Sequence, residues 1–505
     1  MSLARVDTFA IDGVEARRVW VEADIRRGLS AFAVVGLADK AVREARERVR
    51  AALVNSGFVF PQERITVNLA PAYLRKVGPG FDLPLAVAIL AASGQLAADA
   101  IAGCAVVGEL SLTGEVRAVR GALAVAEGVR RHRLDRLLLP RARAREAALV
   151  AELDVLGVQD LQEAVEVLRG DRAPAPVPEA EPDQPDPLEE PDLSDVRGHN
   201  GLIPALEVAA AGGHNLFLHG PPGTGKTMLA RRLPSLLPPM TPHEAIEVTR
   251  LHSIAGLHTG GLVRRRPFRS PHHTISASGL VGGGGAPTPG EATLAHHGVL
   301  FLDELSEFTR PALEALRQPL EDGRVTVVRA QRVVVFPTRV TLVAASNPCP
   351  CGRGESACRC SAADLARHQR RLSGPLLDRI DVSVTVGRPS GAALRSQAAP
   401  SSAVVRERIV AARERQTARL SPYGLTCNAQ LDARLLRDLS DATSEAHRAL
   451  YALHDRNRLS ARGHGRILRV ARTLADLAAS DRILPDHIHQ AAALRLDDQS
   501  LALAA

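Results

Sequence analysis

Aromatic side chains are scarce in this chain, 14 of 505 residues with a single tryptophan. That excludes a nucleic-acid binder built mainly on base-stacking platforms. Lysine is nearly absent: of 63 basic residues only Lys40, Lys76 and Lys226 are lysine. Such a skew, beside abundant alanine, points to a GC-rich genome, so the net charge of +7 permits a polyanionic partner without identifying one. Cysteine is sparse too, six residues of which four crowd into 349–360, which excludes a disulfide scaffold and suits a cytosolic chain with one local cluster. Long apolar runs are missing. Asp7 and Asp12 interrupt the N-terminus before any stretch of signal-peptide length, and Leu83–Gly108 is broken by Pro84, Gln95 and Asp99. The second stretch predicts a buried helix followed by a strand; no membrane span and a cytoplasmic location are expected.

What is present is ordinary globular material, 45% hydrophobic and 24% charged, over a length that suits three domains at ~150 residues each. Residues 173–192 hold seven prolines and seven carboxylates with no basic residue, so this segment is expected to be an extended linker. Its charge of −7 leaves +14 on the rest. The predicted division is an α/β domain over 1–171, a linker over 172–192, an α/β core over 193–390 and a helical part over 391–505. In the first domain, strands are predicted at 31–35, 64–69 and 105–112, and helices at 39–56 and 121–131. In the core, a helix over 202–211 leads to the strand NLFLHG, with further strands at 299–302, 325–328, 333–335 and 340–345. After about 391 strand patterns vanish.

Residues 220–227, Gly220-Pro221-Pro222-Gly223-Thr224-Gly225-Lys226-Thr227, match GxxxxGK[ST] between an apolar strand and a helix-like MLARRL. Glycines let the loop wrap closely around phosphates, and its N–H groups with the helix N-terminus receive their charge. Lys226 is expected to reach the β/γ-phosphates of ATP and Thr227 the Mg²⁺. A second apolar strand, VLFLDE over 299–304, would deliver Asp303 to Mg²⁺ and place Glu304 to polarise the attacking water. The strand LVAAS ends at Asn347, an amide suited to orienting water or the γ-phosphate. Arg379 in PLLDRID has a bland alternative, a surface ion pair with Asp378 or Asp381.

The order of these motifs resembles the AAA+ ATPases. The resemblance implies that Arg379 reaches the γ-phosphate bound by the next subunit, so that hydrolysis requires a ring. It also implies that LSARGHGRILRVARTLADL over 459–477 carries the second sensor of a helical lid, with Arg462 the best match and Arg466 the alternative. Lys226 and Asp303 lie 77 residues apart, leaving room for an insertion. The intervening RRRPFRSPHHTISASGLVGGGGAPTPGEATLAHHG, with ALRQPLEDGRVTVVRA and VVVFPTRVTLVAASNPCPCG after it, closely resembles the magnesium-chelatase-like ATPases of the ComM (YifB) group. That resemblance implies a β-hairpin, VTVVRAQRVVVF, projecting into the ring's pore. Arg329 and Arg332 near its tip would grip DNA phosphates without reading bases, unless they form only a solvated turn. Arg264 to Arg266 and Arg269 are either a DNA contact or a charged face. The adjacent His272 and His273 suit a structural role better than metal binding.

Cys349-x-Cys351, six residues, then Cys358-x-Cys360 suits tetrahedral Zn²⁺, although Cys-x-Cys is tighter than the usual spacing and a redox-labile cluster is the alternative. The N-terminal domain resembles the Lon-type protease domain through Lys76-Val77-Gly78-Pro79-Gly80 and TGEVRAVRGAL. It departs from that family where chemistry would occur: Gly80 stands at the nucleophile and Leu123 at the lysine, so Ser–Lys catalysis is excluded. Together the resemblances imply a Lon-like non-catalytic module, an AAA+ core with a parallel sheet, and a helical lid. The implied function is a hexameric ATP-driven motor on branched or single-stranded DNA, serving homologous recombination or natural transformation. The alternative is the motor subunit of a magnesium chelatase.

Overall fold

The computed structural model describes residues 2–37, 39–177, 191–257, 260–284, 287–329, 332–353, 358–372, 376–395, 398–457 and 459–496. Most of the predicted linker therefore lies outside the described residues. The N-terminal lobe is a seven-stranded sheet covered on both faces. Its strands are β1 (Ser2–Asp12), β2 (Glu15–Arg26), β3 (Ala31–Val35), β4 (Arg64–Ala70), β5 (Cys104–Val106), β6 (Arg136–Pro140) and β7 (Asp154–Val158). The sheet order is β3-β4-β2-β1-β5-β6-β7.

The central pair is the long antiparallel hairpin β1–β2, in register from Ser2 opposite Ile25 to Asp12 opposite Glu15. Sequence reasoning missed it because Arg, Asp and Glu at alternate positions break every apolar run. Yet Val19, Val21, Ala23 and Ile25 are all buried, and that period of two was open to reading. The predicted strand over 105–112 is divided instead into Cys104–Val106 and Glu109–Leu110. Helix Lys40–Asn55 presents Val42, Ala45, Val49 and Leu53 to one core, as its spacing predicts, and helix Asp82–Ala92 is buried along almost its whole length. Helix Ala122–Arg131 belongs to the core on the opposite face.

The second sheet has five strands, all parallel. They are β8 (Leu216–His219), β9 (Phe268–Arg269), β10 (Val299–Leu302), β13 (Thr341–Ser346) and β14 (Val382–Thr385), with the hairpin strands β11 (Arg324–Arg329) and β12 (Arg332–Pro337) lying outside the sheet. The order β9-β10-β13-β8-β14 puts the strand leading to Gly220 between the strand ending at Asn347 and β14. Loops at the carboxyl ends of three neighbouring strands thereby converge. Helix Pro242–Ala255 is fixed at its start by a capping box of Thr241 and Glu244 and at its end by left-handed Gly256. Among the described residues no strand follows β14; helices over 402–420, 433–439, 444–457, 461–477 and 485–496 complete the chain and share one core with the sheet.

Candidate nucleotide-binding site

The loop after β8 turns sharply because Gly220 lies against the backbone, where an added Cβ would meet the Val386 carbonyl oxygen at 2.1 Å. Gly225, at φ +90°, then starts the helix Lys226–Ala230. Lys226 is buried, and its ammonium donates to Gly220 O at 2.6 Å, Pro221 O at 2.9 Å and Asn347 Oδ1 at 3.0 Å. Burial pushes its pKa down, and the Asp303 and Glu304 carboxylates oppose that shift. Thr227 Oγ1 donates to Asp303 Oδ2 at 2.8 Å. The pocket enclosed by these groups has a volume of about 430 Å³ and is lined by Pro222 to Met228, Asp303, Glu304 and Asn347. A hydroxyl and a carboxylate side by side are the hard oxygen donors that Mg²⁺ prefers, so the residues present fit the ion.

Glu304 stands in the left-handed region, φ 51° and ψ 49°, a conformation costing a non-glycine residue on the order of 1 kcal/mol. Its side chain is half exposed, and its Oε2 lies 3.3 Å from His273 Nδ1. Asn347 is held from behind by His368, whose Nε2 donates to the Asn347 carbonyl at 2.9 Å. His219 stands at the end of β8; burial, Lys226 and His368 push its imidazole down to about 4.

The cysteine loop follows Asn347 directly. Cys349 and Cys351 sulfurs are 3.3 Å apart, Cys351 and Cys358 sulfurs 3.9 Å, and all four Sγ atoms lie within 4.8 Å of one another. A tetrahedron with Zn–S bonds of ~2.3 Å has sulfur–sulfur edges of roughly 3.8 Å, so the four thiols fit the metal without rebuilding. Backbone N–H groups of Arg359 and Arg353 hold the Cys351 thiol down to about 6, while its sulfur neighbours raise Cys358 and push Cys360 up to about 12, so the cluster favours one thiolate at a time without a cation. The loop also leans on the phosphate loop, since a Cβ on Gly352 would meet Pro222 Cδ at 2.9 Å.

The arginines stand elsewhere. Arg379, Arg462 and Arg466 line a larger cleft of about 1850 Å³ between the sheet and the C-terminal helices, and none of them lines the phosphate pocket. Arg379 pairs with Glu321, and its side chain is only 10% exposed. Arg462 is exposed, 3.8 Å from Asp378; Arg466 is buried, 4.0 Å from the same carboxylate, and burial pushes it down to about 10. Arg266 and Arg269 are not open for DNA. Arg266 donates to Pro238 O, His297 O and Glu244, and Arg269 forms a two-pronged pair with Glu291 at 2.6 and 2.8 Å. Arg329 and Arg332 face each other in the backbone register of the hairpin, and their side chains lie outside the described residues.

A second cluster escaped sequence reasoning. Glu247, His296 and His297 offer ligand atoms within 4.8 Å of one another. However, the Arg339 N–H donates to His296 Nδ1 at 2.9 Å, which leaves the proton of the neutral ring on Nε2, the atom facing Glu247. His297 Nε2 hydrogen-bonds to Glu247 Oε2 at 2.8 Å, whereas His296 Nε2 stands 3.5 Å from the same oxygen, buried and without a hydrogen bond. In the N-terminal lobe, Lys76 is fully buried and donates to Pro71 O, Gly80 has no side chain, and Leu123 is packed inside a helix with its N–H on Glu146 at 2.8 Å.

A glycine-rich loop between strand and helix, with Asp303 and Asn347 just past the ends of neighbouring parallel strands, has the arrangement of a P-loop α/β protein and makes this pocket the candidate nucleotide site. Three family models match along the chain: subunit ChlI of Mg-chelatase over residues 21–143, magnesium chelatase subunit ChlI over 192–394, and its C-terminal part over 399–495. The chain is 43% identical over 509 residues to the protein YifB of Escherichia coli, covering 99% of this chain and 98% of that one. It is 42% identical over 506 residues to the competence protein ComM of Haemophilus influenzae, covering 98% of each. The chain therefore belongs to the magnesium-chelatase-like ComM/YifB family of AAA+ proteins. A partial likeness links it to Lon protease 2 of Bacillus subtilis, 31% identical over 145 residues and 26% of each chain.

Proposed function

We propose that this protein is a ring-forming ATPase that drives branched DNA through its pore, a branch-migration motor for homologous recombination or natural transformation. The observation that carries the reading is the placement of the hairpin. Its second strand, β12, leads through three residues into β13, and Asn347 beside Lys226 directly follows β13, so a force on the hairpin and contact with the γ-phosphate would act on one continuous segment. The competence-protein relative supports a DNA substrate.

In this reading Lys226 exchanges the Gly220 and Pro221 carbonyls for phosphate oxygens, releasing Asn347 to sense the γ-phosphate. Thr227 and Asp303 hold Mg²⁺, which when bound neutralises charge between the β- and γ-phosphates. Glu304 accepts a proton from the attacking water. Arg379, Arg462 and Arg466 share one cleft distant from their own subunit's phosphate loop, and we assign them to the nucleotide of the neighbour in a hexamer. Arg329 and Arg332 contact the DNA backbone. The cysteines hold a structural Zn²⁺ that stiffens the loop between Asn347 and Pro222. The N-terminal lobe is a Lon-like module without protease chemistry, the helices after 391 form the lid, and the protein works in the cytoplasm. Among the described residues no helix is long and apolar enough to cross a membrane.

The test is ATP hydrolysis by the purified protein with no DNA, linear DNA and a three- or four-way junction, following strand exchange in the same reactions. Junction-stimulated hydrolysis with ATP-dependent branch movement is expected, and Glu304→Gln is expected to abolish both while still binding ATP. Hydrolysis indifferent to every DNA would favour the second reading, a chelatase-type motor awaiting its partner subunits, which the names of the matching family models suggest.

A further inference from the structure

The hairpin β11–β12 stands outside both large sheets, and one of its two faces is covered. Its register sets Val325 opposite Phe336 and Val327 opposite Val334 on the first face. Arg324 opposite Pro337, Thr326 opposite Val335 and Val328 opposite Val333 make the second. Val325, Val327, Val334 and Phe336 are buried in a small core with Leu251, and Val281 packs against it. The second face has no such core among the described residues: Val328 is 66% exposed, Val333 65% and Val335 43%.

Branched apolar side chains bared on a two-stranded ribbon invite pairing with other chains, and proteins blunt such ribbons with charge. No charge interrupts this ridge; the cations stand at its two ends. Arg324 is exposed on the same face at the base, and the next register pair beyond Val328 and Val333 is Arg329 opposite Arg332. An apolar strip bracketed by cations complements nucleic acid, where base and sugar surface lies between rows of phosphates. An apolar groove on a protein would cover the valines and leave the cations unanswered.

We propose that Val328, Val333 and Val335 form an apolar wedge that presses between the bases at a DNA branch point. Aliphatic wedges of this kind unstack a base step. A valine side chain offers no donor or acceptor, so the contact is the same on every base pair and reads no sequence. It also lacks the flat face on which a base stacks, so the wedge does not hold one base in place. The covered face, braced on Leu251 and Val281, gives the ribbon the backing that a wedge requires. The proposal rests on the reading of the protein as a DNA motor with this hairpin in its pore; it adds that strand separation and phosphate contact fall to different residues.

The test uses the full-length protein with Mg-ATP and a four-way junction, comparing wild type with Val328→Ser/Val333→Ser, Val335→Ser and Val328→Ile/Val333→Ile. Junction affinity, junction-stimulated hydrolysis, strand exchange and the mass of the assembled oligomer are measured for each. The Val328→Ser/Val333→Ser protein is expected to exchange strands roughly tenfold more slowly, while affinity and stimulated kcat stay within a factor of about three. Val335→Ser should slow exchange less, and the isoleucine protein should match wild type because its wedge is intact. Exchange at the wild-type rate in Val328→Ser/Val333→Ser overturns the wedge. So does an equal loss of affinity, hydrolysis and exchange, which would make the ridge part of the grip. Loss of the oligomer's mass overturns it as well, since the ridge would then pack on a second copy of the chain. If wild type itself neither responds to junctions nor exchanges strands, the motor reading falls and the wedge with it.

Discussion

Two histidines show how burial sets the chemistry of single residues. Burial pushes His296 down to about 4, and burial with Lys226 and His368 does the same to His219. The unfolded chain takes up protons near ~6.5, well before the folded one, so stability is full above that pH and declines as pH falls towards about 4. The urea midpoint should drop across this window by an amount worth about 3 kcal/mol per histidine. His296→Asn should remove part of the decline; an unchanged midpoint between pH 7 and pH 5 would refute neutral burial of both rings. At the cysteines, metal analysis of purified protein should find zinc at about one ion per chain. Cys351→Ser should lower that content and, through the contact of Gly352 with Pro222, weaken ATP binding a few-fold. Neither a lone histidine nor a lone cysteine announced its environment in the sequence. The four-cysteine pattern did, because its ligands are close along the chain.

Elements are joined by polar networks that no local pattern reveals. His214, fully buried before β8, bridges Asp381 at 3.0 Å and Thr473 at 2.8 Å, tying the sheet to helix Ala461–Leu477. Burial alone would raise Asp381, but His214 and Arg469 hold its carboxyl below the usual range. Further along the same helix, Arg472 is buried and donates to Asp476 at 3.0 Å, Ser480 O and Asp481 O at 2.7 Å and Ser440 O at 3.3 Å. Arg472→Met keeps much of the volume but strands these acceptors, and should destabilise the C-terminal helices by about 3 kcal/mol, read as a lowered urea midpoint. The helices themselves were legible from their 3.6-residue spacing; the cap of Ser460 on helix Ala461–Leu477 came from the structure. The identity of the arginines that brace them was not, because an arginine-rich chain offers many candidates and only packing selects among them.

For the molecule as a whole, polar contacts and a close hairpin approach join the two lobes. Glu146 is buried and accepts from Leu123 N of its own lobe and Ser253 Oγ of the other, while Arg250 pairs with Glu127 at 3.1 Å across the same boundary. The turn of the β1–β2 hairpin reaches the β11–β12 hairpin: Gly13, at φ +67°, is placed so that an added Cβ would meet Val334 Cγ1 at 2.7 Å. Gly13→Val should destabilise the protein by about 1–2 kcal/mol and reduce DNA-stimulated hydrolysis more than DNA-free hydrolysis. Equal loss of both would argue that the N-terminal lobe only supports the fold. Arg379→Ala should hydrolyse ATP slowly, and mixing it with Lys226→Ala should restore part of the activity, because one protein supplies an intact pocket and the other an intact arginine. No recovery on mixing would count against a shared site.

By itself the sequence located the phosphate loop, Asp303, Glu304, the cysteine cluster and the helical C-terminus. Each depends on residues near one another along the chain, where backbone geometry alone places the chemistry. Only the tertiary structure decided that β1 and β2 lie at the centre of the first sheet, that Arg379 meets Glu321, that Arg266 is consumed internally and that His273 faces Glu304. Those contacts join segments distant in sequence, and their partners are chosen by strand order, register and burial, which no short stretch of residues encodes.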